Sequence, residues 1–351
     1  MTTSTKPEAP KVFPDLPPPV AMLQMLGGFR VARSIYVAAE FGIADLLADG
    51  PKSIDELAQA SGTHGPSLYR VLRALASVGI FAEDEDGRFH LTPPAEFLQT
   101  DFPDSVRASV KLFGEEWHWQ LWGNLLESVK TGEPAFERLY GTGFFDFYNQ
   151  NPDFAKTSSA SKTTMAARAS ASLLSNYDFT SSSKVVEIGV AGGYGSTLVP
   201  LLKANPTLQG LLFDFPPVIE GAKPVVEAAG LTERCELISG NCVESVPTGG
   251  DTYILTFVLH NWDQERAIKI LQNCHQVMAE DGKLLVVEMI MPKGNDPFVG
   301  KIVDLESLLL TPGGYERTEA QYRDLLEAAG FKVTKVIPTQ TANSVIEAVR
   351  A

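Results

Sequence analysis

Val185-Val186-Glu187-Ile188-Gly189-Val190-Ala191-Gly192-Gly193-Tyr194-Gly195-Ser196 is the stretch that decides the fold. An apolar, β-branched run ends in an acid and a glycine cluster, and Thr197-Leu198-Val199-Pro200-Leu201-Leu202 follows with helical patterning. Strand, tight turn and helix in that order make the first unit of a doubly wound α/β sheet. Its ligand crevice lies at the carboxyl ends of the strands. Glycine suits a turn where a side chain would block a ligand lying against the backbone. The helix N-terminus then offers free N–H groups to an anion or carboxylate. The plainer alternative is a tight turn with only a structural role.

Spacing sharpens the reading. The next strand, Leu208-Gln209-Gly210-Leu211-Leu212-Phe213, ends in Asp214, where an acid can accept hydrogen bonds from both ribose hydroxyls of an adenosine. A dinucleotide site would show the same acid, but the G-x-G-x-x-G pattern fails at Ala191 and Tyr194. Glu187 would also repel a pyrophosphate. An acid there suits a cationic ligand with an amino group, such as S-adenosylmethionine.

Downstream, strands and helices alternate. A helix over Val218–Ala229 precedes the strand Cys235–Ser239, then comes a strand over Thr252–Leu259. Asp263 caps a helix over Gln264–Met278, Lys283–Glu288 forms a strand, and a helix over Glu319–Ala329 stops at Gly330. Phe331–Ile337 and Ser344–Val349 finish as strands. This alternation predicts an α/β fold, a Rossmann-like, mostly parallel sheet with helices on both faces, over 181–351.

Upstream, 1–19 reads as a disordered leader without an apolar signal segment. From Val20 a helical pattern carries Met22, Leu23, Met25, Leu26 and Phe29, too apolar for a free surface. A second copy of the chain is the expected cover, making a homodimer. Short helices follow, with a Ser53/Glu56 capping box and Ser67 as cap of the third. A hairpin through Asp84-Glu85-Asp86-Gly87 completes a winged helix-turn-helix over 20–103. DNA binding is the sharp reading and a dimerisation module the plain one. Three acids at the wing tip, which phosphates would repel, favour the second. Residues 104–180 read as a helical linker or substrate lid. Its aromatic clusters (Trp117, Trp119, Trp122; Phe144-Phe145-Asp146-Phe147-Tyr148; Phe154) serve equally as core or pocket wall.

The 351 residues, 44% hydrophobic, suffice for two domains with a large core. A formal charge of −14 argues against nucleic acid and anionic membrane as partners. No apolar run reaches the roughly 18 residues that span a bilayer. Cys235, Cys242 and Cys274 lack metal-ligand spacing and suit a reducing cytoplasm.

Reactive groups in such a sheet belong at strand carboxyl ends. His260 follows one strand, Glu288 ends the next, and Glu316 lies in a Pro312-Gly313-Gly314-Tyr315 loop. A carboxylate can orient one imidazole nitrogen and leave the other as a base for a hydroxyl proton. Either acid could equally be solvated, with Thr318/Gln321 merely starting a helix. No further acid cluster suggests a divalent metal.

Gly189-x-Ala191-x-Gly193, Asp214-Phe215-Pro216-Pro217, Leu259-His260-Asn261-Trp262-Asp263, Val287-Glu288 and Pro312-Gly313-Gly314-Tyr315-Glu316-Arg317-Thr318 together resemble the caffeic acid and acetylserotonin O-methyltransferase family. The likeness runs from about Val20 to the end and includes the winged-helix dimerisation domain. It implies S-adenosylmethionine as cofactor, S-adenosylhomocysteine as product, and a small, phenolic or polyketide-like acceptor. His260 would be the general base, framed by Glu288 and Glu316. Cofactor contacts would fall on Glu187, Gly189, Ala191, Gly193, Asp214, Phe215, Gly240, Asn241, Cys242 and Thr256. The acceptor pocket would draw on Trp119, Phe145, Tyr148, Met165, Asn261, Asp304, Leu308 and Thr311. The chain departs from the family at Ala191, at Asn261 (His-Asn-Trp for His-Asp-Trp), at Gly240-Asn241-Cys242-Val243 (for Gly-Asp-Met-Phe) and at Thr256 (for Lys). Methylation of nitrogen or carbon, another S-adenosylmethionine-dependent reaction on the same scaffold, or a non-catalytic binding or regulatory protein are the alternatives.

Overall fold

The computed structural model describes residues 16–351, apart from the side chains of Ala160, Thr164 and Met165. The predicted leader therefore lies outside the described residues up to position 15. Its last residues, Pro18 and Pro19, already begin the helix Pro18–Glu40, where proline loses no bond because the first N–H groups of a helix have no partner. Two compact units divide the chain, Met1–Trp119 and Gln120–Ala351. The stretch expected as one helical block over 104–180 is split between them: the helix Arg107–Gly114 belongs to the first unit, and Pro152–Asn176 to the second.

In the first unit the helices Ile54–Ser61 and Gly65–Ala76 pack with β1 (Lys52–Ser53), β2 (Phe81–Glu83) and β3 (Arg88–Leu91), which form an antiparallel sheet in the order β1-β3-β2. Ile43, Leu57, Leu72, Leu75, Phe81 and Phe89 make its core. The Ser53/Glu56 capping box forms as expected. Ser67 is not a cap: His64 precedes the helix Gly65–Ala76, and its Nδ1 meets Ser67 Oγ at 2.9 Å. The acidic wing turn has an internal use, since the Asp84 carboxylate accepts from the Asp86 and Arg88 amides and pairs with His90 Nε2 at 2.7 Å. The first helix exposes Met22, Leu23, Met25, Leu26 and Phe29, with Leu23 67% and Leu26 62% accessible.

The second unit is built on seven strands: β4 (Lys184–Ile188), β5 (Gln209–Asp214), β6 (Cys235–Ser239), β7 (Thr252–Thr256), β8 (Lys283–Met289), β9 (Phe331–Pro338) and β10 (Asn343–Arg350). Their order is β6-β5-β4-β7-β8-β10-β9, and only β10 runs against its neighbours. Alternate residues enter opposite cores. Val186, Ile188, Tyr253, Leu255 and Val286 pack on one face, while Val185, Ile254, Leu285 and Val287 pack on the other. Both faces are covered, which explains the near-continuous apolar runs. The chain order reverses between β4 and β7, so the crevice of a doubly wound sheet opens there.

Most boundaries shift from the sequence reading by one or two residues, and one differs more. β7 stops at Thr256 rather than Leu259, because Phe257 takes φ +55° and the chain turns through a 3-10 segment, Leu259–Asn261. The apolar run Phe257-Val258-Leu259 hides this break. Among the described residues no helix is long and apolar enough to cross a membrane.

Candidate active site

After β4 the chain makes a loop with Ala191 at φ +53° and Tyr194 at φ +46°, both in the left-handed region that favours glycine. Asp214, at the end of β5, holds this loop. Its carboxylate accepts from the amides of Ala191 (2.9 Å), Gly192 (3.0 Å) and Phe215 (2.6 Å) and is 1% exposed. Burial raises its pKa to about 6 against the pull of those three N–H groups. The expected ribose acid thus organises the loop itself. It also supplies the reason for Gly189, where a Cβ would run into Asp214 Oδ2. Gly193 answers to a different neighbour: a Cβ there would lie 2.6 Å from Thr163 Cα, on the helix Pro152–Asn176. On that helix Ser158, Ser159 and Ser161 are buried, and Ser170 donates to Thr197 at 2.9 Å.

Glu187 does not face the crevice in the way its charge suggested. Its carboxylate accepts from the Leu198 amide at 2.9 Å, at the start of the helix Leu198–Ala204, and burial raises its pKa to about 7. Of the residues expected at the adenine end, Gly240 leaves room for the Phe213 ring, which a Cβ would approach to 2.5 Å. Asn241 accepts from the Val243 amide, closing its own turn. Cys242 is buried, and its carbonyl accepts from Asn273. A cleft of about 450 Å³ runs past Phe213, Gly240 and Asn241. Thr256 Oγ1 is buried without a protein partner. A backbone-lined loop, a neighbouring cleft and an orphaned hydroxyl at the strand ends could together hold a nucleoside bearing an amino-acid chain.

The Leu259–Asn261 turn carries the imidazole. His260 Nδ1 lies 2.7 Å from Glu316 Oε1 and 3.8 Å from Glu288 Oε2. Glu288 is fully buried, and its Oε1 accepts from the Leu259 (2.8 Å) and His260 (3.3 Å) amides, so it holds the turn as well as facing the ring. Burial opposes the charged imidazolium, but Glu288 and Glu316 outweigh it and raise the His260 pKa to about 9. Burial raises the Glu288 carboxyl in turn. The His260 side chain keeps 17% exposure, and its Nε2 has no protein partner among the described residues. The three ligand atoms of His260, Glu288 and Glu316 could also bracket a cation, lying within 4.8 Å of one another. The Nδ1–Oε1 hydrogen bond, however, already takes the nitrogen such an ion would need.

Several residues position this group. Asp304 Oδ1 accepts from the Glu316 amide at 2.6 Å. Arg317, 1% exposed, donates to the Leu259 and Trp262 carbonyls at 2.7 Å each, clamping both ends of the histidine turn. Asn261 donates to the Phe257 and Val258 carbonyls. Asn261 and Asp304, expected to line the pocket, thus brace the histidine turn and the Glu316 backbone. Thr311 is buried, bonded to the Ser307 carbonyl at a helix end, and Leu308 lies on that same helix, Gly300–Leu310. Arg317 and Trp262 were not singled out as site residues, although both stand in the motifs quoted above.

Phe145 packs between Phe215 (5.8 Å between ring centroids) and Trp262 (4.9 Å), making an aromatic wall beside the histidine turn. The Trp262 Nε1 is buried and unpartnered. Tyr148 is core rather than wall: it is fully buried, and its hydroxyl bonds Ser159. Trp119 belongs to the N-terminal unit, under the Arg33 guanidinium. The Met165 side chain lies outside the described residues.

Comparison with known proteins identifies the family. Residues 122–332 match the O-methyltransferase domain, and residues 23–101 the O-methyltransferase dimerisation domain. A phenazine O-methyltransferase, PhzM, from Lysobacter antibioticus is 41% identical over 327 residues, covering 93% of this chain and 95% of that protein. The crystal structure of LaPhzM superposes with a TM-score of 0.90 at 40% identity, covering 96% of this chain and 100% of that one. CalO1, a methyltransferase in calicheamicin biosynthesis solved in its S-adenosylhomocysteine-bound form, gives 0.81 at 31% identity, covering 96% and 100%. The chain belongs to the O-methyltransferase family, with a dimerisation domain followed by the methyltransferase domain.

Proposed function

We propose that this enzyme moves the methyl group of S-adenosylmethionine to a hydroxyl of a small aromatic acceptor, of phenazine or polyketide-like type, with His260 as general base. The observation that carries the reading is the Glu316–His260 hydrogen bond, which fixes one ring nitrogen and leaves Nε2 unpartnered. The cofactor supplies an electrophilic methyl on a sulfonium; the protein supplies alignment and a place for the proton. The Asp214-held loop and Thr256 hold the cofactor, and the Phe145–Trp262 wall takes the flat acceptor. A phenol with a pKa near 10 is largely neutral at pH 7. Its proton passes to Nε2 as the oxygen attacks, and Glu288 and Glu316 stabilise the imidazolium that results.

The oriented base favours hydroxyl over an aromatic ring nitrogen, which has no proton to lose. The exposed apolar stripe of the first helix and the dimerisation-domain match support a homodimer, which works in the cytoplasm. Incubation with S-adenosylmethionine and a panel of phenols and hydroxylated polycyclic arenes tests the reading. Release of S-adenosylhomocysteine with some of them is expected. Cofactor binding without turnover of any acceptor would overturn it.

A further inference from the structure

Lys162 stands one residue before Thr163, the residue whose backbone approaches Gly193, on the helix that packs beside the glycine loop. Its ammonium sits 5.2 Å from the centroid of the Phe144 ring and 5.9 Å from that of Tyr148. Phe144 is 5.3 Å from Phe145, the ring that meets Trp262. Lys162 makes no ion pair and no hydrogen bond among the described residues, although it is only partly exposed. The acid that acts on it, Asp214, already accepts from three amides, and the Lys162 charge is felt in turn at His260.

An ammonium taken largely out of water beside aromatic rings, drawn by the Asp214 carboxylate but in no ion pair with it, is short of the close counter-charge that buried cations normally have. Burial lowers its pKa to about 8, which still leaves it mostly protonated at neutral pH. Next to a sulfonium such a charge is repelled unless an anion lies between. We propose that Lys162 reads a carboxylate carried by the aromatic acceptor, next to the hydroxyl that is methylated. This rests on the methyl-transfer reading above and narrows its substrate to acidic hydroxyarenes. The alternative anion in the same crevice is the cofactor's own carboxylate, and the test separates the two.

The probes are 3-hydroxy-2-naphthoate and 2-naphthol, which differ by the carboxylate alone. The wild type is expected to prefer the naphthoate in kcat/KM by about tenfold or more, in line with a charge-assisted contact. Lys162→Met should collapse that ratio toward one through KM for the naphthoate, Lys162→Arg should preserve it, and S-adenosylhomocysteine affinity by calorimetry should hold in both. Equal use of the two probes by the wild type, or an undiminished preference in Lys162→Met, would overturn the proposal. So would a drop in S-adenosylhomocysteine affinity in Lys162→Met with the preference intact, which would give the lysine to the cofactor. Naphthoate binding that depends on Lys162 without turnover of either probe would support the lysine's role and strike the methyl-transfer reading instead.

Discussion

Glu316 Oε1 stands 2.7 Å from His260 Nδ1, and Asp304 holds the Glu316 backbone in place through its amide. The imidazole is therefore oriented by a carboxylate that is itself anchored. With Glu288 it raises the ring's proton affinity well above that of a free histidine. The sign for catalysis follows. With His260 as the proposed base, the neutral ring is the reactive form, so kcat/KM is expected to rise with pH as His260 deprotonates, on an acid limb displaced upward toward 9. Glu316→Gln removes one cause of the upward shift, so the limb moves to lower pH while kcat falls by about tenfold to a hundredfold. A pH profile of both enzymes checks this.

Asp214→Ala leaves two amides of the glycine loop and that of Phe215 without their acceptor. Loss of buried acceptors costs about 1–3 kcal/mol each, less where water enters. Denaturant unfolding without any ligand should show the variant clearly less stable, together with weaker S-adenosylhomocysteine binding. A variant that loses affinity alone would make Asp214 a ligand contact and not a loop organiser.

Gly193→Ala sets a methyl group 2.6 Å from Thr163 Cα. The obstacle is backbone, so Thr163→Gly should not rescue it. Calorimetry should find weakened S-adenosylhomocysteine binding in the single and the double variant alike, with a lowered Tm in both.

Leu23→Glu combined with Leu26→Glu places charge on the exposed apolar stripe of the first helix. Light scattering should show the mass falling from that of a dimer to that of one chain.

The α/β sheet could be read in the sequence because apolar periodicity locates strands, and His260 and Glu288 because strand ends locate residues; Glu316, in a loop between two helices, is placed beside the histidine only by the family resemblance. Direction was harder to read. Glu187 sits at a strand end as expected, yet its carboxylate turns to the Leu198 amide. Phe257 breaks β7 at a positive φ that an apolar run does not announce. Ser158, Ser159 and Ser161, a polar run in the sequence, are buried on a helix whose Thr163 backbone closes on Gly193. Gly193 and Lys162 acquire meaning only from that long-range approach, which no local pattern records.

The most direct measurement is single-turnover methyl transfer by His260→Ala with saturating S-adenosylmethionine, alongside calorimetry of S-adenosylhomocysteine. The account predicts a rate lower by about 10²–10⁴-fold with cofactor affinity retained. A rate within a few-fold of wild type would contradict it.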